Sequence, residues 1–133
     1  MHDKQIPLIV YVRKDHCAEK LWDFIHTQSR YGQVEIYFSL DKLFKRFIQN
    51  VAGNMVAVLL IYSRWEIVNI VKHEELFFDN KIVLVLPGGS NETLALGNAL
   101  YPRFVSFIDD DFRDITLALR KMMARIQSQP TIY

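Results

Sequence analysis

Apolar residues in this chain gather into five short blocks, and the deepest of them is Met55–Tyr62, Met-Val-Ala-Val-Leu-Leu-Ile-Tyr. Apart from the Tyr62 hydroxyl it carries no polar side chain. A strand with one solvated face alternates polar and apolar residues. An unbroken run of β-formers needs both faces covered, which is the condition of a central strand in a parallel sheet between helices. Pro7–Val12 and Lys81–Leu86 read the same way. The first opens on proline, whose missing N–H does least harm at a strand start. Gln33–Phe38 does alternate, with Val34, Ile36 and Phe38 on one face and Gln33, Glu35 and Tyr37 on the other. That pattern predicts an edge strand. Arg103–Ile108 is the fifth strand.

Helical signals fall between the blocks. Asp15 is placed to cap a first helix in which Ala18, Leu21, Trp22 and Ile25 recur at i, i+3, i+4, i+7, with Gly32 suited to a left-handed exit. Ser39 caps a second helix, Asp41 lies in its positive first turn, and Leu40, Leu43, Phe44, Phe47 and Ile48 are expected to be buried. Gly53-Asn54 turns the chain into the central strand. Ser63 and Glu66 have capping-box spacing ahead of Ile67, Val68, Ile70 and Val71, predicting a third helix that ends around Leu76–Asn80. Ser90 or Asn91 opens a short fourth helix, weakened by Gly97 and stopped at Tyr101-Pro102. Asp111 caps the last helix, which turns Phe112, Ile115, Leu119, Met122, Met123 and Ile126 inward, and Gln127–Tyr133 is a frayed or extended tail.

Strand followed by helix, five times over, predicts parallel strands joined by right-handed crossovers. With an edge-like second strand and buried first, third and fourth strands, the expected order is 2-1-3-4-5. The fold class is a three-layer α/β/α sandwich of flavodoxin-like type, one domain over residues 1–133 with an ordered core from about residue 6 to 127.

Composition narrows the function classes. A chain of 133 residues is long enough to bury a core in one domain. Its formal net charge of +1 provides no global field for nucleic acid or anionic lipid. Arg30, Lys42, Lys45 and Arg46 make only a mildly basic edge, so a nucleic-acid partner is not expected. One cysteine, Cys17, rules out an internal disulfide. No run approaches the roughly 18 apolar residues of a membrane span, and the polar N-terminus leads into too short an apolar run for a signal peptide. A cytoplasmic protein is expected, and the start at Met1 without a long linker suits a stand-alone domain. His2, His16, His26 and His73 do not form a metal-ligand spacing with each other or with Cys17, so no metal is expected; the leading reading has no cofactor.

In a sheet of this order, ligands collect at the C-terminal ends of the strands, at the reversal between strands 1 and 3. The candidate pocket is therefore Arg13, Lys14 and Asp15 after strand 1, Ser63 and Arg64 after strand 3, Gly88, Gly89 and Ser90 after strand 4, and Asp109 and Asp110 after strand 5. Each has a plainer reading. The charges also suit solvated loops and a helix cap. The glycine turn lacks both G-x-G-x-x-G and the Walker lysine, and also suits a tight strand-to-helix turn. Cys17 lies near Arg13 and Lys14 at a helix start, a setting that lowers a thiol pKa, and it equally suits a small semi-buried side chain.

The whole chain resembles a response-regulator receiver domain in element order and length, most closely over Arg103–Leu119, Arg-Phe-Val-Ser-Phe-Ile-Asp-Asp-Asp-Phe-Arg-Asp-Ile-Thr-Leu-Ala-Leu. The family's chemistry does not carry over. Where receivers hold a metal-binding acidic pair, this chain has Arg13-Lys14-Asp15. Around Ile61-Tyr62-Ser63 there is no phospho-accepting aspartate. Leu86-Pro87 replaces the Ser or Thr, and Ile108-Asp109 the lysine. The resemblance therefore implies a pseudo-receiver: a non-catalytic signalling or protein-interaction domain, not an enzyme. Its partner would be another protein or a second copy, bound through the face of the fourth helix, fifth strand and last helix. A flavodoxin-like small-ligand protein, holding a nucleotide or flavin at the strand ends, is the alternative.

Overall fold

The computed structural model describes residues 7–13, 23, 26, 33–49, 55–108 and 113–128, with side chains of the last stretch described to residue 122. Its centre is a five-stranded parallel sheet: β1 (Leu8–Tyr11), β2 (Val34–Tyr37), β3 (Val56–Leu60), β4 (Lys81–Leu86) and β5 (Phe104–Phe107), in the order β2-β1-β3-β4-β5. This is the order expected from the alternation of β2 and the unbroken runs of β1, β3 and β4. Every residue of β3 is buried, and its neighbours pair in parallel register, Val58 with Val10 on one side and Val83 on the other.

The four helices described in full are α1 (Leu40–Ile48), α2 (Arg64–Lys72), α3 (Asn91–Asn98) and α4 (Arg113–Ser128). Asp23 and His26, in the β1–β2 connection, are also helical. The apolar stripe expected at Ala18, Leu21, Trp22 and Ile25 lies outside the described residues, as do Cys17, the Gly53-Asn54 turn, Asp111, Phe112 and the side chains of Met123 and Ile126. Among the described residues no helix is long and apolar enough to cross a membrane.

The pleat divides the core in two. One face of the sheet sends Ile9, Ala57, Leu59, Ile82 and Leu84 against α1, α2 and the segment around Leu100. The other sends Leu8, Val10, Val58, Leu60, Val83 and Val85 against Ile115 and Leu119 of α4. Because both faces are covered, no polar alternation survives in the central strands, which is why their sequence runs are continuous.

Local signals set the helix starts. Ser39 and Ser63 each accept a hydrogen bond from a backbone N–H of their helix's first turn, from Lys42 at 3.3 Å and Glu66 at 3.4 Å. Ser90, rather than Asn91, caps α3 and accepts from the Thr93 N–H at 3.2 Å. Gly97 sits where α3 presses on β4: a Cβ there would meet Leu84 Cδ1 at 3.0 Å. Close packing, not helix propensity, thus explains this glycine.

Three expectations are corrected. Ile48 is 64% exposed although it continues the stripe of α1. Leu40, Leu43 and Phe47 face the sheet, and Phe44 is covered by His73 and Phe77. The 100° rotation per residue puts Ile48 beside Phe47 rather than beneath it. The third helix of the sequence reading also ends early as an α-helix, at Lys72, and continues as a 3₁₀ turn over Glu74–Leu76. That tighter turn leads to Phe77, which is buried against Phe47 with ring centroids 4.5 Å apart. In the opposite sense, α4 extends through Gln127 and Ser128.

The edge strand is tied to its helix by charge. Arg46 of α1 donates to Glu35 of β2 through Nε at 2.7 Å and Nη2 at 3.1 Å, and the Tyr37 hydroxyl donates to the same carboxylate at 2.6 Å. The Arg46 guanidinium is the main cause that holds the Glu35 carboxyl below its usual range, with burial opposing. A depressed carboxyl pKa contributes stability above the unfolded value and loses it as pH falls through the folded one. Glu35→Gln should therefore cost about 1 kcal/mol at neutral pH. The gap to wild type should close as pH falls below the ordinary value of 4.5. Urea midpoints of both proteins across that range check this; a gap unchanged in acid would remove the ion pair as its source.

Candidate functional site

Strand order reverses at β1, with β2 added on one side and β3 on the other, and this opens a crevice of about 480 Å³ at the strand C-terminal ends. Tyr11 and Arg13 enter from β1, Ser63, Trp65 and Glu66 from the start of α2, and Phe38 to Asp41 from the β2–α1 turn. The topology thus points the N-termini of α1 and α2 into one space. Phe38 and Trp65 stand exposed at the rim.

The floor is a closed hydrogen-bond set. Glu66 is 1% exposed. Its Oε2 accepts from the Tyr11 hydroxyl at 2.5 Å, and its Oε1 accepts from the Tyr62 N–H at 3.1 Å and the Ser63 hydroxyl at 3.1 Å. In the usual capping box the acidic side chain returns to the cap residue's own N–H. Here it reaches one residue further back and across the sheet to β1. Burial first, and then the hydrogen bond and charge of Glu66, push the Tyr11 hydroxyl above its ordinary value, with the Arg13 charge opposing. Tyr11, a protonated donor at neutral pH even at its ordinary pKa of 10.0, thus stays protonated further into the alkaline range. A carboxylate with three donors and a phenol fixed as donor form a brace between β1 and α2.

The structure brings together only part of the sequence-derived pocket. Arg13 and Ser63 line the crevice. Arg64 turns away and pairs with Glu92 of α3 at 2.5 Å, on the surface. Gly88, Gly89 and Ser90 form the β4–α3 turn and do not line this crevice. A Cβ at Gly89 would meet only the Phe107 ring at 3.8 Å, and Ser90 is occupied with Thr93. Lys14, Asp15, Asp109 and Asp110 lie outside the described residues. Among the described residues no three His, Cys, Asp or Glu side chains gather as a metal site.

By sequence Glu66 has the spacing of a cap and Tyr11 is one residue of a buried apolar strand. The available signal was a tyrosine near the C-terminal end of an otherwise aliphatic run. A buried phenol needs a partner, and the strand order places Tyr11 across from the start of α2.

No family model matches the chain, and no curated protein does either. Among solved structures it is similar to a "Putative pilus assembly-related protein" of Burkholderia pseudomallei K96243, with a TM-score of 0.65 and 18% sequence identity over 94% of each chain. At that identity the likeness carries the fold alone: a parallel five-stranded α/β domain with the strand order of receivers and flavodoxins.

Proposed function

We propose that this chain is a non-catalytic signalling or protein-interaction domain, built on a receiver-like fold and working by binding a protein partner or a second copy of itself. The observation that carries this reading is the engaged floor of the crevice. Tyr62 and Ser63 stand at the end of β3, where phosphoryl transfer to a receiver would need an open carboxylate. The carboxylate that does reach the floor, Glu66, is buried and holds three donors. A group so committed cannot serve as an acceptor without breaking the contact between β1 and α2. A binding role suits the name of the structural neighbour, which speaks of pilus assembly, although that name says nothing of this chain's own partner. A second copy would meet the face made by α3, β5 and α4.

Incubation with acetyl phosphate and Mg²⁺, followed by intact-mass measurement, tests the proposal. No gain of a phosphoryl group is expected. A phosphoryl adduct that disappears on changing a single aspartate to asparagine would overturn it.

A further inference from the structure

At the opposite end of the sheet, before β4 and β5 begin, lies a second depression of about 560 Å³. Phe78 and Tyr101 flank it with ring centroids 6.4 Å apart, and they are 56% and 78% exposed. Leu100 and Pro102 extend its apolar surface. Asn80 fixes its base: its side chain accepts from the Met55 N–H at 2.9 Å and donates to the Leu76 carbonyl at 3.4 Å. Among the described residues Arg103 is the one charged residue lining it. Its exposed guanidinium has no ion pair or hydrogen bond among the described residues.

Tyr101 adds an independent observation. Its φ is 51°, in the left-handed region, the one positive φ at a non-glycine residue among those described. Glycine or asparagine takes that conformation at the end of a helix with little or no cost, whereas a bulky side chain is strained there. The ring does not recover this cost by burial, since it is the most exposed of the large apolar side chains described. A tyrosine at a left-handed turn position that glycine would fill without strain points to a use for its side chain.

We infer that the Phe78–Tyr101–Arg103 patch docks a segment of a protein partner that carries a carboxylate next to a large apolar side chain. The apolar group lies against Phe78, Tyr101 and Pro102, and the carboxylate meets the Arg103 guanidinium in a charge-assisted hydrogen bond. Among the described residues the lining supplies one positive charge and no acid, so charge complementarity selects an anionic segment over a basic one. This rests on reading the chain as a binding domain, and it names a surface remote from the crevice.

The test is amide chemical-shift mapping of the intact protein with two capped peptides, acetyl-Leu-Glu-Leu-amide and its Gln counterpart. Shifts confined to Asn80, Tyr101 and Arg103 are expected with the Glu peptide, with roughly two- to fivefold weaker binding of the Gln peptide. Arg103→Gln should erase that difference. Tyr101→Gly should weaken binding while raising the urea midpoint, because it relieves the backbone strain. No shifts at the patch, equal response to both peptides, concentration-dependent shifts there without peptide, or a lowered midpoint in Tyr101→Gly would each overturn the inference. Phosphoryl uptake at the strand ends would instead overturn the functional reading and leave these outcomes unchanged.

Discussion

Replacing Glu66 with alanine should cost about 3 kcal/mol of folding stability, far more than a helix-capping residue usually contributes. The reason is geometric. One carboxylate satisfies the Tyr11 hydroxyl, the Tyr62 N–H and the Ser63 hydroxyl. Removing it leaves these donors in a largely buried site, where an unpaired polar group costs more than the bond it lost was worth. Tyr11→Phe removes a single donor and should cost about 1–2 kcal/mol. Combined with Glu66→Gln, it should show a coupling of at least about 0.5 kcal/mol, since the two side chains share a hydrogen bond. Urea denaturation of the two single variants and the double variant gives all these values. Were Glu66→Ala to fall within about 0.5 kcal/mol of wild type, as ordinary surface substitutions do, the brace between β1 and α2 would not exist in solution.

Phe77→Ala should be as damaging or worse, at about 3–5 kcal/mol. Phe77 is 1% exposed and fills the space between Phe47, at 4.5 Å, and Phe44, at 6.3 Å with rings nearly perpendicular. Its removal leaves a cavity between α1 and the turn before β4 that these side chains only partly refill. A domain of this size has about 5–15 kcal/mol of stability in total, so the variant should melt at a much lower temperature or fail to fold at ordinary temperatures. The neighbouring Phe78→Ala removes a ring already more than half in water and should change stability by less than about 0.5 kcal/mol. Two adjacent phenylalanines with opposite outcomes in one thermal-melt experiment would confirm which of them the core contains. Equal outcomes would place the turn wrongly.

Much of the architecture follows from patterns a few residues long. Strand periodicity distinguishes the alternating Val34–Tyr37 from the unbroken Met55–Tyr62, and that difference alone is enough to put β2 at the edge and β3 at the centre. The serines at 39, 63 and 90 mark helix starts because capping involves only the next three residues. The general position of a crevice then follows from strand order. Which side chains line it does not, and the candidate pocket was legible only in Arg13 and Ser63 among the described residues.

Depth and partnership depend on packing between distant parts of the chain. Ile48 and Phe47 look equally apolar in sequence, yet one is in water and the other against Phe77. Local periodicity gives the direction a side chain takes from its helix and says nothing of whether a neighbour covers it. Glu66 has the spacing of a surface cap, and its partner Tyr11 lies 55 residues away. Gly97 reads as a helix weakness until β4 is seen against it. Tyr101 before Pro102 reads as a helix stop, while its left-handed backbone and exposed ring emerge only once the chain is folded. The elements and their order were readable along the chain, because those depend on local backbone preference and on which faces must avoid water. Contacts between residues distant along the chain determined the brace, the cavity-filling phenylalanine and the exposed patch, and such contacts exist only in the packed sheet.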